Sequence, residues 1–275
     1  MEIILAKELN GFVDKSCEEM FMFLDNLNDI SMLIEENIHK TARIVHGTES
    51  TLHYGYMNPS PTREMVVGCT KRGRLLKRPR NEHSPFEYFL DEHNKLVMIM
   101  RNHHKREGFH EQELFFYHEN IVTSLNFECK RPNPRNTVNT SQMKYNENGL
   151  ISEYVNMQID SVYFPRVYSD KLPLQEKMKL VNHVDIERYH YQNGRLLVCE
   201  MIDFSTHLRN SFADYLPYHD VVSLRYNGVE EIESYDLFHT LYNRKNTFQQ
   251  RKPFRINKAF YEYWNQLMIG DPKID

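Results

Sequence analysis

Between residues 15 and 40 apolar side chains recur at three- and four-residue intervals. Cys17, Met20, Phe21, Phe23, Leu24 and Leu27 form one stripe, and Ile30, Met32, Leu33 and Ile34 a second. That spacing predicts a helix from Lys15 to Leu27 and a shorter helix after it, packed as a pair on a sheet. Asp14 or Ser16 is placed to cap the first helix, and Glu18 and Glu19 suit the positive end of its dipole. From residue 41 the period falls to two. Thr41 to Gly47 and Thr51 to Tyr56 alternate polar and apolar, and Asn58-Pro59-Ser60-Pro61 ends the second run. Alternation bounded by turn residues is the signature of a strand.

A unit of strand, tight polar turn and strand then recurs. Phe86-Glu87-Tyr88-Phe89-Leu90 turns at Asp91 to Asn94 into Lys95 to Met100, and Leu114 to Tyr117 turns at His118-Glu119-Asn120 into Ile121 to Leu125. The same unit is centred on Asn148-Gly149, Asn193-Gly194 and Asn227-Gly228, and a related one runs from Glu64 through Gly73 to Leu76. Asn-Gly is the favoured pair where both central residues of a hairpin need positive φ. The spacing between turns is too irregular for a strict repeat array, so it predicts a meander with inserted loops at 76–85, 129–141, 161–182 and 204–219. A short helix is expected from Leu174 to Val181. A final helix is expected from Asn257 to Ile269, where Ala259, Phe260, Tyr263, Trp264, Leu267 and Met268 share one face and Gly270 follows.

The fold class that follows is mainly β: an antiparallel meander of β-hairpins, as a curved sheet or an open barrel-like sheet, with helices at the N- and C-terminal ends. The segments are an N-terminal helical part (1–40), the hairpin meander (41–240) and a C-terminal helical part (241–275), packed as one compact domain. The composition agrees. Of 275 residues 40% are hydrophobic and 26% charged, which is a globular rather than a disordered balance. The 17 Tyr and 16 Phe suit pleated, half-buried surfaces.

Charge and cysteine content narrow the setting. A net charge of -4 excludes a polyanion binder built on overall charge, and leaves only local basic clusters to weigh. Cys17, Cys69, Cys129 and Cys199 lie too far apart for a CxxC pair, so free thiols in a reducing compartment are expected. Met1-Glu2-Ile3-Ile4-Leu5 has the wrong pattern for a signal peptide, and no run approaches a membrane-spanning length. The expectation is a cytoplasmic protein with no membrane association.

Tyr145-Asn146-Glu147-Asn148-Gly149-Leu150-Ile151 resembles the tyrosine–aspartate (YD) repeat of Rhs-type bacterial proteins, whose pattern is Tyr-Asp-x-x-Gly-x-Leu. Tyr191-Gln192-Asn193-Gly194-Arg195-Leu196 is similar with one residue fewer, and Asn146 and Gln192 stand where the family has Asp. Rhs proteins form large secreted shells around toxins, and this chain has too few hairpins to enclose one. Small proteins with such hairpins look like the immunity proteins encoded beside bacterial toxins. The resemblance therefore implies a toxin-neutralising protein as a partner-binding function.

Each group with candidate chemistry also has a packing role open to it. The stretch from Arg101 to Glu111 holds His103, His104 and His110 but lacks the spacing of two ligands on one helical face, and Lys105 and Arg106 would repel a cation. Tyr189-His190-Tyr191 and Tyr218-His219-Asp220 place imidazoles beside aromatics and a carboxylate, without a nucleophile elbow. Cys199 ends the apolar run Leu196-Leu197-Val198 and reads as a buried thiol. Two basic clusters stand out. One holds Lys71, Arg72, Arg74, Lys77, Arg78 and Arg80. The other interleaves Arg244, Lys245, Arg251, Lys252, Arg255 and Lys258 with Phe248, Phe254 and Phe260.

No catalytic residue, cofactor or metal site is expected. The function expected is non-enzymatic binding of another protein, in its specific form a toxin, through Arg72, Arg74, Lys77, Arg78, Tyr189, Tyr191, Tyr218 and His219. Two alternatives stay open. One is a hydrolase-like enzyme, favoured if Tyr189, His190, His219, Asp220 or Glu200 converge. The other is a nucleic-acid binder using the basic clusters.

Overall fold

A computed structural model describes residues 3–27, 30–47, 75–76, 86–102, 109–130, 133–160, 172–205, 209, 215–228 and 231–255. A 3-10 turn at Ala6–Glu8 leads into α1 (Leu9–Asp25), followed by α2 (Ile30–Lys40). The strands are β1 (Arg43–Gly47), β2 (Leu75–Leu76), β3 (Phe86–Leu90), β4 (Leu96–Asn102), β5 (Phe109–His118), β6 (Ile121–Lys130), β7 (Asn133–Tyr145) and β8 (Ile151–Asp160). After the short helix α3 (Leu174–Met178) come β9 (Val181–Gln192), β10 (Arg195–Ser205), β11 (Tyr218–Tyr226), β12 (Glu231–His239) and β13 (Arg244–Arg255).

The protein is mainly β, an antiparallel meander. From β3 to β13 each strand is hydrogen-bonded to its neighbours in sequence, and β1 sits between β3 and β2. The sheet does not close: β13 and β2 end the order, each with one partner strand among the described residues. The expected fold class is therefore observed.

The chain forms two compact units that are discontinuous in sequence. One joins Met1–Asp25 to Gln142–Asn257, and the other joins Asn26–Ser141 to Lys258–Asp275. In the second unit the core is built from Phe86, Tyr88, Leu90, Leu96, Met98, Leu114 and Leu125. Successive residues from Leu96 to Ile99 and from Val122 to Phe127 are buried, so both faces of the sheet are covered there. Gly47 admits the ring of Tyr88: a Cβ at this position would stand 2.7 Å from Cε2.

In the first unit α1 buries Leu9, Val13, Cys17, Met20, Phe21 and Leu24 along one side. These lie over a sheet face carrying Val155, Met157, Val184, Ile186, Ile202 and Phe204, all buried. Polar clamps hold the helix in place. Lys144 Nζ bonds Glu19 at 2.7 Å and Glu153 at 2.9 Å, and the buried Lys177 ammonium on α3 binds the Asp25 carboxylate. Arg209 pairs with Asp14 at 2.6 Å.

Three segments depart from the sequence-based expectation. Helix α1 starts at Leu9, six residues before Lys15, because Leu9 and Val13 extend the buried stripe backwards. Asn133–Tyr145 is a strand where an inserted loop is expected; its Thr residues tolerate the pleat, and Pro134 sits at the strand start, where a missing donor costs least. Arg244–Arg255 is also a strand, paired to β12, and not part of a helical segment; cross-strand pairing outweighs its polar local pattern. The helix expected at Asn257 to Ile269 lies outside the described residues.

The turns follow the chemistry of their residues. At the β9–β10 turn Asn193 and Gly194 take φ of 51° and 73°, the two positive values a tight hairpin needs. At the β7–β8 turn the Asn146 side chain accepts from the Asn148 and Leu150 amides at 2.9 and 3.0 Å, and at the β3–β4 turn Asp91 does the same for His93 and Lys95. A Cβ on Gly194 would meet no atom within 4 Å, so the cost of Gly194→Ala is conformational alone. That substitution is expected to lower stability by about 1–2 kcal/mol in urea unfolding. Gly11 in α1 also faces open space, and Gly11→Ala should stabilise the protein by up to about 1 kcal/mol.

Candidate functional site

The polar groups worth weighing as a site lie on β8 to β13 of the first unit, and their arrangement depends on one irregularity. The β9–β10 hairpin opens with Arg195 opposite Gln192 and Leu196 opposite Tyr191, but then Val198 stands opposite His190. Leu197 is thus an extra residue in β10, a β-bulge. Beyond it Glu200 opposes Arg188, Ile202 opposes Ile186, and Asp203 opposes Asp185. A hairpin continuing without the bulge would set Glu200 against Glu187 and Asp185 against Ile202.

On the helix-covered face the centre is Glu200, whose side chain is fully buried. Arg188 Nη1 lies 2.8 Å from Oε1, His190 Nε2 2.7 Å from Oε1, and His219 Nε2 3.0 Å from Oε2. The Ile4 amide completes the set at 3.0 Å from Oε2. An ionised carboxylate only accepts, so each imidazole presents a protonated Nε2 to it. Burial by itself would raise the Glu200 pKa. The bonds from His190, His219 and Ile4 and the Arg188 charge outweigh it and hold the group down to about 2. Phe12 of α1 lies 5.4 Å from the Arg188 guanidinium. The cluster braces the sheet and tethers the N-terminal segment, and its carboxylate has no exposed surface.

The opposite face is organised in cross-strand rows. Asn156, Asp185, Asp203 and Tyr218 form one row across β8, β9, β10 and β11. Tyr154, Glu187, Met201, Asp220, His239 and Arg244 form the next, from β8 to β13. Within them Asp220 Oδ1 bonds His239 Nδ1 at 2.7 Å. Buried Glu187 accepts from the Tyr189 hydroxyl at 2.6 Å, with Cys199 Sγ 3.9 Å away. His183, Asp185 and Asp203 offer donor atoms all within 4.8 Å of one another, the set among the described residues able to hold a metal ion.

The outer end of this face is aromatic and open. Tyr218 is 43% exposed, Tyr242 64% and Phe248 39%. A hydrogen bond joins the Tyr218 and Tyr242 hydroxyls and raises the Tyr242 pKa. Phe248 stacks on Tyr235 with centroids 5.0 Å apart. On β13 Arg244, Asn246 and Phe248 follow at alternate positions and share this face. The other side of β13 carries Lys245 and Thr247, which with Arg225 bind Asp236 and hold its carboxyl well below the usual range.

The residues expected at a site are dispersed. Tyr189 and His219 are both buried and lie on opposite faces, one bonded to Glu187 and the other to Glu200. Tyr191 is half-buried beside the hairpin turn, and Tyr218 is exposed on the aromatic rim. Arg72, Arg74, Lys77 and Arg78 lie outside the described residues. The convergence that would favour a hydrolase occurs for His190, His219 and Glu200, but beneath the N-terminal segment. Cys17 and Cys199 are free, buried thiols, and burial with the nearby Asp14 charge pushes Cys17 up to about 12 despite Arg209. Sequence reasoning passed over Arg188, His183, Asp185 and Asp203. The alternation His183-x-Asp185 was a usable signal for two of them; Asp203 joins only through the bulge.

The first unit defines this chain as an open antiparallel β-meander protein with a buried carboxylate brace and an aromatic rim. No protein-family model matches the chain, and no curated protein matches it. Among solved structures it is similar to a porin-like protein from Bacteroides vulgatus, at 5% identity and a TM-score of 0.36 over 78% of this chain and 99% of that one. A likeness of that size carries no argument. No helix among the described residues is long and apolar enough to cross a membrane, a statement that does not extend to strands.

Glu200 and the bulge generate two predictions. A carboxyl held near 2 against an ordinary 4.5 adds stability that is present above pH 4.5 and is lost as pH falls toward 2. The shift corresponds to about 3 kcal/mol. Urea unfolding of the wild type should therefore weaken by about that much more than Glu200→Gln over this pH interval. Deleting Leu197 removes the extra residue and leaves Val198 opposite His190 and Glu200 opposite Arg188, so the variant should keep the wild-type loss of stability at low pH. Loss of that pH dependence in the deletion variant would show that the bulge itself, and not the pairing beyond it, positions the carboxylate.

Proposed function

We propose that this protein is a non-enzymatic protein-binding module whose docking surface is the aromatic rim of the first unit. The observation that carries the reading is the group Tyr218, Tyr242 and Phe248, three exposed rings on and beside one sheet face, with Arg244 on that same face. Tyr and Arg dominate the energetically important positions of protein interfaces, because they combine large apolar area with directional polar groups. The edge strand adds a charge preference. From Arg244 to Arg255 it carries Arg244, Lys245, Arg251, Lys252 and Arg255 and no acidic residue. The partner is accordingly a protein with an acidic surface around an apolar pocket, attracted by charge and held by the rings. The finer version, an immunity-type protein in the cytoplasm that neutralises a bacterial toxin, rests on the hairpin resemblance.

The hydrolase alternative is weakened by the sealing of Glu200. The nucleic-acid alternative would use the same cations with Phe248 as a stacking platform, and salt separates it from the first reading. The test is a native pull-down with the wild type and with Tyr242→Ala and Arg244→Ala. Expected is one acidic protein, captured in stoichiometric amount at about 0.5 M salt, with an affinity reduced about 30-fold by Tyr242→Ala. Capture unaffected by both variants would remove the rim from the interface. Capture of nucleic acid alone, lost steeply with salt, would replace this reading with the nucleic-acid one.

A further inference from the structure

We infer that His183, Asp185 and Asp203 form a binding site for a divalent first-row transition cation, such as Mn2+ or Zn2+, at the end of the β9–β10 hairpin remote from its turn, on the face away from α1. His183 and Asp185 are alternate residues of β9, so both side chains leave the same face. Asp203 stands directly opposite Asp185 on β10. Three donors are therefore held on two adjacent hydrogen-bonded strands, a more rigid mounting than a loop provides. Their side chains are 31%, 15% and 52% exposed, open enough for an ion to enter without unfolding.

The spacing suits a single ion. His183 Nε2 lies 3.2 Å from Asp185 Oδ1 and 3.5 Å from Asp203 Oδ2. With metal–ligand bonds of about 2.1 Å, those separations correspond to ligand–metal–ligand angles of roughly 100° and 113°, in the range of tetrahedral and adjacent octahedral positions. The donor chemistry narrows the ion. One imidazole with two carboxylates suits Mn2+, Fe2+, Co2+ or Zn2+, whereas Ca2+ and Mg2+ favour sites made only of oxygen. The arrangement supplies three protein ligands from one side and leaves the solvent side to water. Asn156, opposite Asp185, and Gln158, opposite His183, place further amide oxygens on the same face of β8.

Asp203 stands directly opposite Tyr218 of the proposed docking rim, but the test of the cation site does not require a partner. The purified full chain is titrated with Mn2+, with free ion followed by electron paramagnetic resonance, and Ca2+ is used as a competitor. The expected result is one Mn2+ per chain, weakly displaced by Ca2+, with affinity lowered about 100-fold in both Asp203→Asn and His183→Ala. Asp220→Asn, a nearby carboxylate outside the set, should bind as the wild type does. Circular dichroism establishes that the variants are folded, and Mn2+ should raise the melting temperature of the wild type but not of Asp203→Asn. Absence of one-to-one binding overturns the assignment. So does binding retained in both Asp203→Asn and His183→Ala, which would place the ion among the other histidines of the surface.

Discussion

The register of the β9–β10 hairpin is the constraint on which the first unit depends, and the bulge at Leu197 sets it. The turn at Asn193-Gly194 fixes where the hairpin begins. The extra residue then shifts every later pair by one position. Because side chains alternate between faces, a one-residue shift decides which groups enter the core and which stay outside. It exchanges a juxtaposition of two carboxylates, Glu187 and Glu200, for an ion pair between Arg188 and Glu200. Like charges directly across strands are unfavourable, and in a buried site the penalty grows as the dielectric falls.

The consequences reach both faces. On the covered face Glu200 is an ionised group with no exposure, which is tolerable because four donors surround it. One donor is the Ile4 amide, so the same carboxylate orders the chain ahead of α1 and couples that segment to β9, β10 and β11. Removing the charge therefore loosens more than a single contact. On the opposite face the same pairing aligns Asp203 with Asp185 and places Tyr218 at the end of their row. Holding Leu197 out of the pairing thus keeps both the internal brace and the external set of donors in register.

The edge strand β13 serves two physical ends. Lys252 and Pro253 interrupt it, and the pairing with β12 shifts between Ile232 and Ser234. Charge, proline and irregular pairing discourage uncontrolled strand addition at an open edge. Exposed rings at Tyr242 and Phe248 would by themselves invite association. Under the proposed docking role, the cationic sequence of this strand would favour a partner of opposite charge.

Much of the fold was legible because its causes are local. Period-two runs around Asn-Gly or Asx turns specified the hairpins, and the buried stripe from Cys17 to Leu24 specified α1. Cys199 read as a buried thiol from its apolar neighbours, and it is one. The strand at Asn133–Tyr145 was hidden by its proline and its asparagines, and no local window contains its pairing with neighbouring strands. The candidate site was less legible still. Tyr218 stood out beside His219 and Asp220, although it was expected in an inserted loop and in fact opens β11, whereas Asp203 and Asp185 are 18 positions apart and meet only through register. The sequence by itself determined the hairpins, their turns and the apolar side of α1, since propensity and periodicity act within a few residues. Only the tertiary structure decided which face each charge occupies, because a bulge is a property of two paired strands, and one residue of slip turns every side chain over.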